Sequence, residues 1–283
     1  MRIRVACSPD ADDLFMMRAL MEGHLDTGPY ELVVEAHPTD ELNRLASGED
    51  PPEVCAISFG HYPAVAERFQ LLPHGGSMGE GYGPVVVARE PMTTDALRDL
   101  RVAVPGTTTT AWAVLRMIAG GIQPVVVPIV PYQRIFDALK DGEVDAGLII
   151  HEGRLTYEDL GFHKVVELGT WWTEHVGDLP LPLGANALRR DLPEADRMAV
   201  SELLRASIAH ALEHQDDVVE WLLGRGGALE TAERVHTYLG MYANQRTLEY
   251  GPDGREGIRS FFDAAVAAGV YDEVPDLVMV GDA

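Results

Sequence analysis

The stretch "DAGLIIHEGRLT", residues 145–156, sets the reading of the fold. Ala146 to Ile150 form a short apolar run with Gly147 inside it, the pattern of a strand buried on both faces. The run stops abruptly at His151-Glu152, and the segment before it, "YQRIFDALKDGEV" (132–144), has helical spacing. A helix feeding a fully buried strand is half of a βαβ unit, which places parallel strands under helices on both faces. The strand's carboxyl end then opens where such sheets bind ligands.

Upstream the same alternation continues. Strands are expected at "RIRVACS" (2–8), "YELVVEAH" (30–37), "PEVCAISFG" (52–60), "GPVVVARE" (83–90), "LRVAVPG" (100–106) and "PVVVPIV" (124–130). Helices are expected at 10–23, with acids in the first turn, and at 39–49, with Thr39 as a cap. Further helices are expected from "HYPAVAERF" and "TTAWAVLRMIAGG". After about residue 190 the pattern turns helical, with three long stretches between 195 and 283. "GDLPLPLGANALRR" (177–190), extended by Pro180 and Pro182, reads as a return segment. Two αβ lobes followed by helices imply a chain that crosses over and comes back. The expected fold is therefore α/β, a two-lobed periplasmic-binding-protein type II fold with mixed, mainly parallel sheets. Lobe one spans 1–88 plus 190–283 and lobe two 89–189, with an active-site cleft between them.

Composition bounds the partners. The 283 residues carry 45 acids against 22 Lys and Arg, a net charge of −23. Such a field repels phosphate backbones and anionic lipid, so neither nucleic acid nor membrane is an expected partner. No apolar run reaches the ~20 residues of a spanning helix. The start, "MRIRVACSPDADDLF", runs straight into a strand, so a cytoplasmic protein is expected. Cys7 and Cys55 lie in apolar runs and read as reduced core thiols.

Four stretches offer chemistry. In "SPDADD" (8–13), Ser8 or Asp10 can cap the following helix, or the acids can hydrogen-bond substrate hydroxyls. A calcium loop is not indicated, because its spacing and terminal glutamate are missing. "ISFGHYP" (57–63) places Ser58 at a strand end without the first glycine of a nucleophile elbow, so Ser58 reads as a ligand donor. "GGSMGEGYGP" (75–84) matches neither dinucleotide nor Walker loops, and its glycines suit a hinge or a close backbone approach. "VPGTTTTA" (104–111) opens a helix with four threonines where one would cap it, which points to a small carboxylate or phosphate pocket. His151 then stands at a strand end beside the cleft, and an imidazole is the side chain best suited to act as a general base at neutral pH. Glu152 is its neighbour, but adjacent residues on a strand face opposite ways. His236 in "RVHTY" could reach the cleft from the returning helices.

Together "SPDADDLFM", "AISFGHYP", "GEGYGP", "VAVPGTTTTA", "GEVDAGLIIHEGRLTY" and "GDLPLPLGANALRR" closely resemble the 1,4-dihydroxy-6-naphthoate synthase family of the futalosine route to menaquinone. The matches run in order from residue 8 to 190, with a weaker echo at "VHTYLGMYAN" (235–244). The resemblance implies a cytoplasmic lyase that converts cyclic dehypoxanthinylfutalosine to 1,4-dihydroxy-6-naphthoate by carbon–carbon cleavage, with no metal or organic cofactor. It implies His151 as the base, Thr109 and Thr110 holding the substrate through its carboxylate, and Ser58 and Asp13 as substrate contacts. Part of the family reads SPCPND where this chain has SPDADD, so the resemblance carries a role to Asp13 more securely than to Asp10 or Asp12. Two alternatives share the fold: a cytoplasmic solute-binding protein for a small carboxylate, and chorismate dehydratase, which lacks the LIIHE-type motif.

Overall fold

The computed structural model describes residues 1–129 and 133–282. Val130, the end of one expected strand, and Tyr132, the start of one expected helix, lie outside the described residues. The chain begins with β1 (Arg2–Cys7), α1 (Ala11–Met21), β2 (Glu31–Ala36), α2 (Thr39–Ser47) and β3 (Val54–Ser58). A 3-10 turn at Phe59–His61 leads to α3 (Tyr62–Val65), β4 (Phe69–Leu71) and β5 (Ser77–Gly79). There follow β6 (Val85–Ala88), β7 (Arg101–Val104), α4 (Thr110–Ile118), β8 (Gln123–Val126), α5 (Gln133–Lys140) and β9 (Ala146–Ile149). A second 3-10 turn at His151–Leu155 precedes β10 (His163–Glu167), α6 (Leu168–His175) and β11 (Leu181–Arg189). The remainder is helical: α7 (Glu194–Glu213), α8 (Gln215–Arg225), α9 (Ala232–Tyr242), α10 (Gln245–Leu248) and α11 (Gly251–Ala267).

Two mixed sheets with parallel cores result. The first runs β2-β1-β3-β11-β4, with β5 also on β11, and the second runs β10-β6-β9-β7-β8. β1 is parallel to β2 and β3, while β11 enters antiparallel beside β3. In the second sheet β7 is parallel to both β8 and β9, and β6 is antiparallel to β9. Alternation along the strands serves two cores at once. Ile3, Val5 and Cys7 pack under α1 and α7–α9 with Phe15, Leu204 and Tyr238. Val85, Val87 and Ile149 pack on α5 with Phe136 and Leu139, whereas Val86, Ala88 and Leu148 face the opposite cluster. That cluster joins Val86 and Leu148 of the second sheet to Cys55 and Ile57 of the first. Cys7 and Cys55 are free and buried, as their apolar settings suggested.

Two strands fall on the other side of the boundaries expected at 88 and 190. β6 bonds within the second sheet, and β11 within the first. The "return segment" is thus a nine-residue strand in the middle of a sheet. Its Pro182 lacks an N–H, and the β11–β5 register slips between Pro182 and Gly184. The close fit between lobes needs glycine at position 60: a Cβ there would sit 2.9 Å from both Cα and N of Thr110.

Candidate active site

A cleft of about 780 Å³ lies where the carboxyl ends of β1, β3 and β9 meet the N-terminus of α4. Asp13, Ser58, Thr109, Thr110 and His151 all line it. Five residues scattered over 139 positions of sequence thus share one cavity.

His151 is placed by an abrupt turn. Ile150 is still extended, with φ −117° and ψ 177°, and His151 itself takes φ +52°. A left-handed non-glycine residue costs of order 1–3 kcal/mol and persists where its surroundings hold it. Here they hold both ring nitrogens: Nδ1 is 3.1 Å from Asp10 Oδ2, and Nε2 is 3.0 Å from Thr39 Oγ1. Thr39 is therefore not the cap expected of it, since Pro38 precedes α2 and no side chain caps that helix. Asp10 makes no capping bond to α1 either. The free N–H of Ala11 is taken instead by Glu152 Oε1 from the other lobe, at 3.1 Å. His151 and Glu152 are not neighbours on a strand but open a 3-10 turn, and the side chain that meets the imidazole is Asp10.

The three acids of "SPDADD" have separate partners. Asp10 accepts from the Ser8 hydroxyl and shares a hydrogen bond with Glu152. Asp12 accepts from the Tyr238 hydroxyl at 3.1 Å, and Asp13 from the Ser8 N–H at 2.5 Å. Burial, reinforced by the Asp12 charge, pushes Asp10 up to about 7. Burial and the Asp10 charge push Glu152 up to about 8, and burial raises Asp12 and Asp13 too. Protons are therefore held within this cluster near neutral pH.

The opposite wall is the start of α4. Thr109 is its cap: the hydroxyl accepts from Trp112 N at 3.2 Å and donates to Gly106 O at 3.0 Å. Thr110 Oγ1 donates to Leu183 O at 2.6 Å and accepts from Gly60 N at 2.9 Å. Thr108 Oγ1 accepts from Asn43 Nδ2, which also reaches Ser58 Oγ at 3.2 Å. Thr108 and Thr110 thus tie the two lobes together, and the hydroxyls of Thr108, Thr109 and Thr110 are already occupied. What remains for an anion is the pair of first-turn N–H groups, on Thr110 and Ala111, which find no carbonyl acceptor within the helix and carry its partial positive charge.

Some cleft residues escaped the sequence reading. Tyr238 and Tyr242 of α9 line the cleft, as do Arg154, Thr39 and Ser77. Burial and the Asp12 charge raise Tyr238 well above its ordinary value, so it remains a donor. Arg154 pairs with Glu167 and donates to Gly83 O at 2.9 Å. His236, expected near the cleft, instead faces Asp216 of α8 at 3.5 Å and is exposed. The period of α9 carries Tyr238 and Tyr242, four residues apart, to the cleft face and leaves His236 off it.

Comparison with known proteins is consistent from end to end. Residues 3–267 match the family described as menaquinone biosynthesis. A curated 1,4-dihydroxy-6-naphthoate synthase of Thermus thermophilus is 40% identical over 275 residues, 96% of this chain and 97% of that protein. One of Streptomyces coelicolor is 35% identical over 274 residues, 95% of this chain and 94% of that protein. A crystal structure of a protein from Archaeoglobus fulgidus superposes with a TM-score of 0.86 at 40% identity, covering 95% of this chain and 98% of that one. The alkanesulfonate-binding protein of Xanthomonas axonopodis shares the fold alone, with a TM-score of 0.68 at 13% identity over 99% of this chain and 96% of that one.

Proposed function

The chain belongs to the menaquinone biosynthesis family, and from that premise we propose that it acts as a 1,4-dihydroxy-6-naphthoate synthase, a carbon–carbon lyase working on cyclic dehypoxanthinylfutalosine. The observation that carries the reading is the pairing, in one cleft, of an imidazole with an anchored helix N-terminus: His151 on one wall and Thr109–Ala111 on the other. The substrate's carboxylate would take the free N–H groups of Thr110 and Ala111, with Ser58 and Asp13 as further contacts. His151 would remove a proton beside the carbonyl. The C–H bond breaks, its electrons pass toward the carbonyl oxygen, and the proton goes to the imidazole. Collapse of that enolate expels the sugar-derived portion, which takes up a proton, and the bicycle becomes aromatic. Holding base and substrate in a fixed mutual geometry supplies much of the acceleration such a step needs. Two free buried thiols accord with a reducing compartment, which supports action in the cytoplasm.

The reading is tested by incubating the purified protein with cyclic dehypoxanthinylfutalosine and following the product by chromatography. Release of 1,4-dihydroxy-6-naphthoate is expected. No conversion, with tight binding of another small carboxylate, would return the chain to the solute-binding class.

A further inference from the structure

We propose that Asp10 is the positioning residue of the base: through Nδ1 it fixes the tautomer of His151, so that Nε2 is the atom that receives the substrate's proton. The inference rests on His151 being the base and adds which nitrogen acts and what holds it. The geometry has three parts. Asp10 Oδ2 lies 3.1 Å from Nδ1, and an ionised carboxylate can only accept, so the hydrogen of a neutral imidazole sits on Nδ1. Nε2 then presents its lone pair, and the Thr39 hydroxyl 3.0 Å away is a donor that a substrate proton can replace. Asp10 is itself fixed by the Ser8 hydroxyl and by Glu152.

Two carboxyls in contact must share a proton. Glu152 is the weaker acid of the two, so near neutral pH it keeps the proton and donates it to Asp10. Glu152 also accepts the Ala11 N–H, which ties the loop carrying Asp10 to the turn carrying His151. Around this pair stand Asp12 and Asp13 on the same segment and Tyr238 from α9. When Nε2 takes the proton, the imidazolium forms against the Asp10 carboxylate, which stabilises it without being protonated itself.

The test uses the full-length protein and its Asp10→Asn, Asp10→Glu and His151→Gln variants, each checked for folding by thermal melting. Turnover of cyclic dehypoxanthinylfutalosine is measured across pH, and the His151 tautomer is read from nitrogen-15 shifts. Asp10→Asn is expected to lower kcat about 10²–10⁴-fold with little change in KM. Its imidazole should no longer be held in the Nδ1–H form. Asp10→Glu should retain that tautomer and recover part of the rate, which also serves should Asp10→Asn fail to fold. Wild-type kcat and an unchanged tautomer in Asp10→Asn, with His151→Gln inactive, would overturn the positioning role alone. Turnover by His151→Gln would overturn the base and this inference together.

Discussion

Thr39 Oγ1 lies 3.0 Å from Nε2 of His151, the nitrogen left free by the contact with Asp10. The two residues are 112 positions apart, and the contact joins the first turn of α2 to the end of β9. On the proposed mechanism this hydroxyl stands where the substrate would present its acidic proton.

Thr39→Val keeps the shape and removes the donor. Its kcat/KM is expected to stay within about tenfold of wild type, whereas His151→Gln should lose about 10³-fold or more. Steady-state kinetics on both variants decide the matter. An equal loss in Thr39→Val would make the hydroxyl a participant in proton transfer.

Gly60 lets the turn after β3 abut the N-terminus of α4, where any Cβ would meet backbone atoms of Thr110 at 2.9 Å. Gly60→Ala is expected to cost about 1–3 kcal/mol in stability and to raise KM, because the displaced element is the proposed carboxylate cradle. Urea unfolding and kinetics on the same sample measure both. A variant with altered stability but an unchanged KM would separate the cradle from substrate binding.

Thr109 serves as the cap of α4 through Trp112 N. Thr109→Ala should lose about 1 kcal/mol of stability and show its kinetic effect mainly in KM. A change confined to kcat would speak against a role in anchoring the substrate.

Burial holds Asp10 near 7 and Glu152 near 8, well above their ordinary ranges. The folded state therefore binds these protons more tightly than the unfolded chain does. Their contribution to stability is present below the ordinary carboxylate range and is lost as pH rises through about 7 to 8. Melting curves from about pH 5 to about pH 9 should show Glu152→Gln losing less stability than wild type, by about 1–3 kcal/mol or several degrees in Tm. Parallel curves would show that the acids are ionised in the fold at no cost.

The outline of the cleft was legible in the sequence because strand ends and helix starts announce themselves. An apolar run that stops at His151 and a Pro-Gly turn before four threonines each mark a place near a cleft, and His151, Thr109 and Thr110 line it. Partnership was not legible. Asp10 meets His151 across 141 positions of sequence, and nothing local distinguishes it from Asp12 or Asp13, which turn to other partners. Thr39 looked like a cap because its position and type suit one, yet tertiary contact claimed its hydroxyl. Tyr238 and Tyr242 sit on a helix whose pattern reads as core, which they also are. The extended backbone that Pro180 and Pro182 impose fits a return segment as well as a strand, and only the pairing of β11 with β3, β4 and β5 distinguishes the two.

The most direct test of the account is His151→Ala with two readouts on one preparation: turnover of cyclic dehypoxanthinylfutalosine and its binding by calorimetry. The account predicts turnover reduced by about 10³-fold or more with Kd changed only a few-fold. Turnover that survives, or binding that is lost while the fold is intact, would contradict it and make His151 a ligand contact.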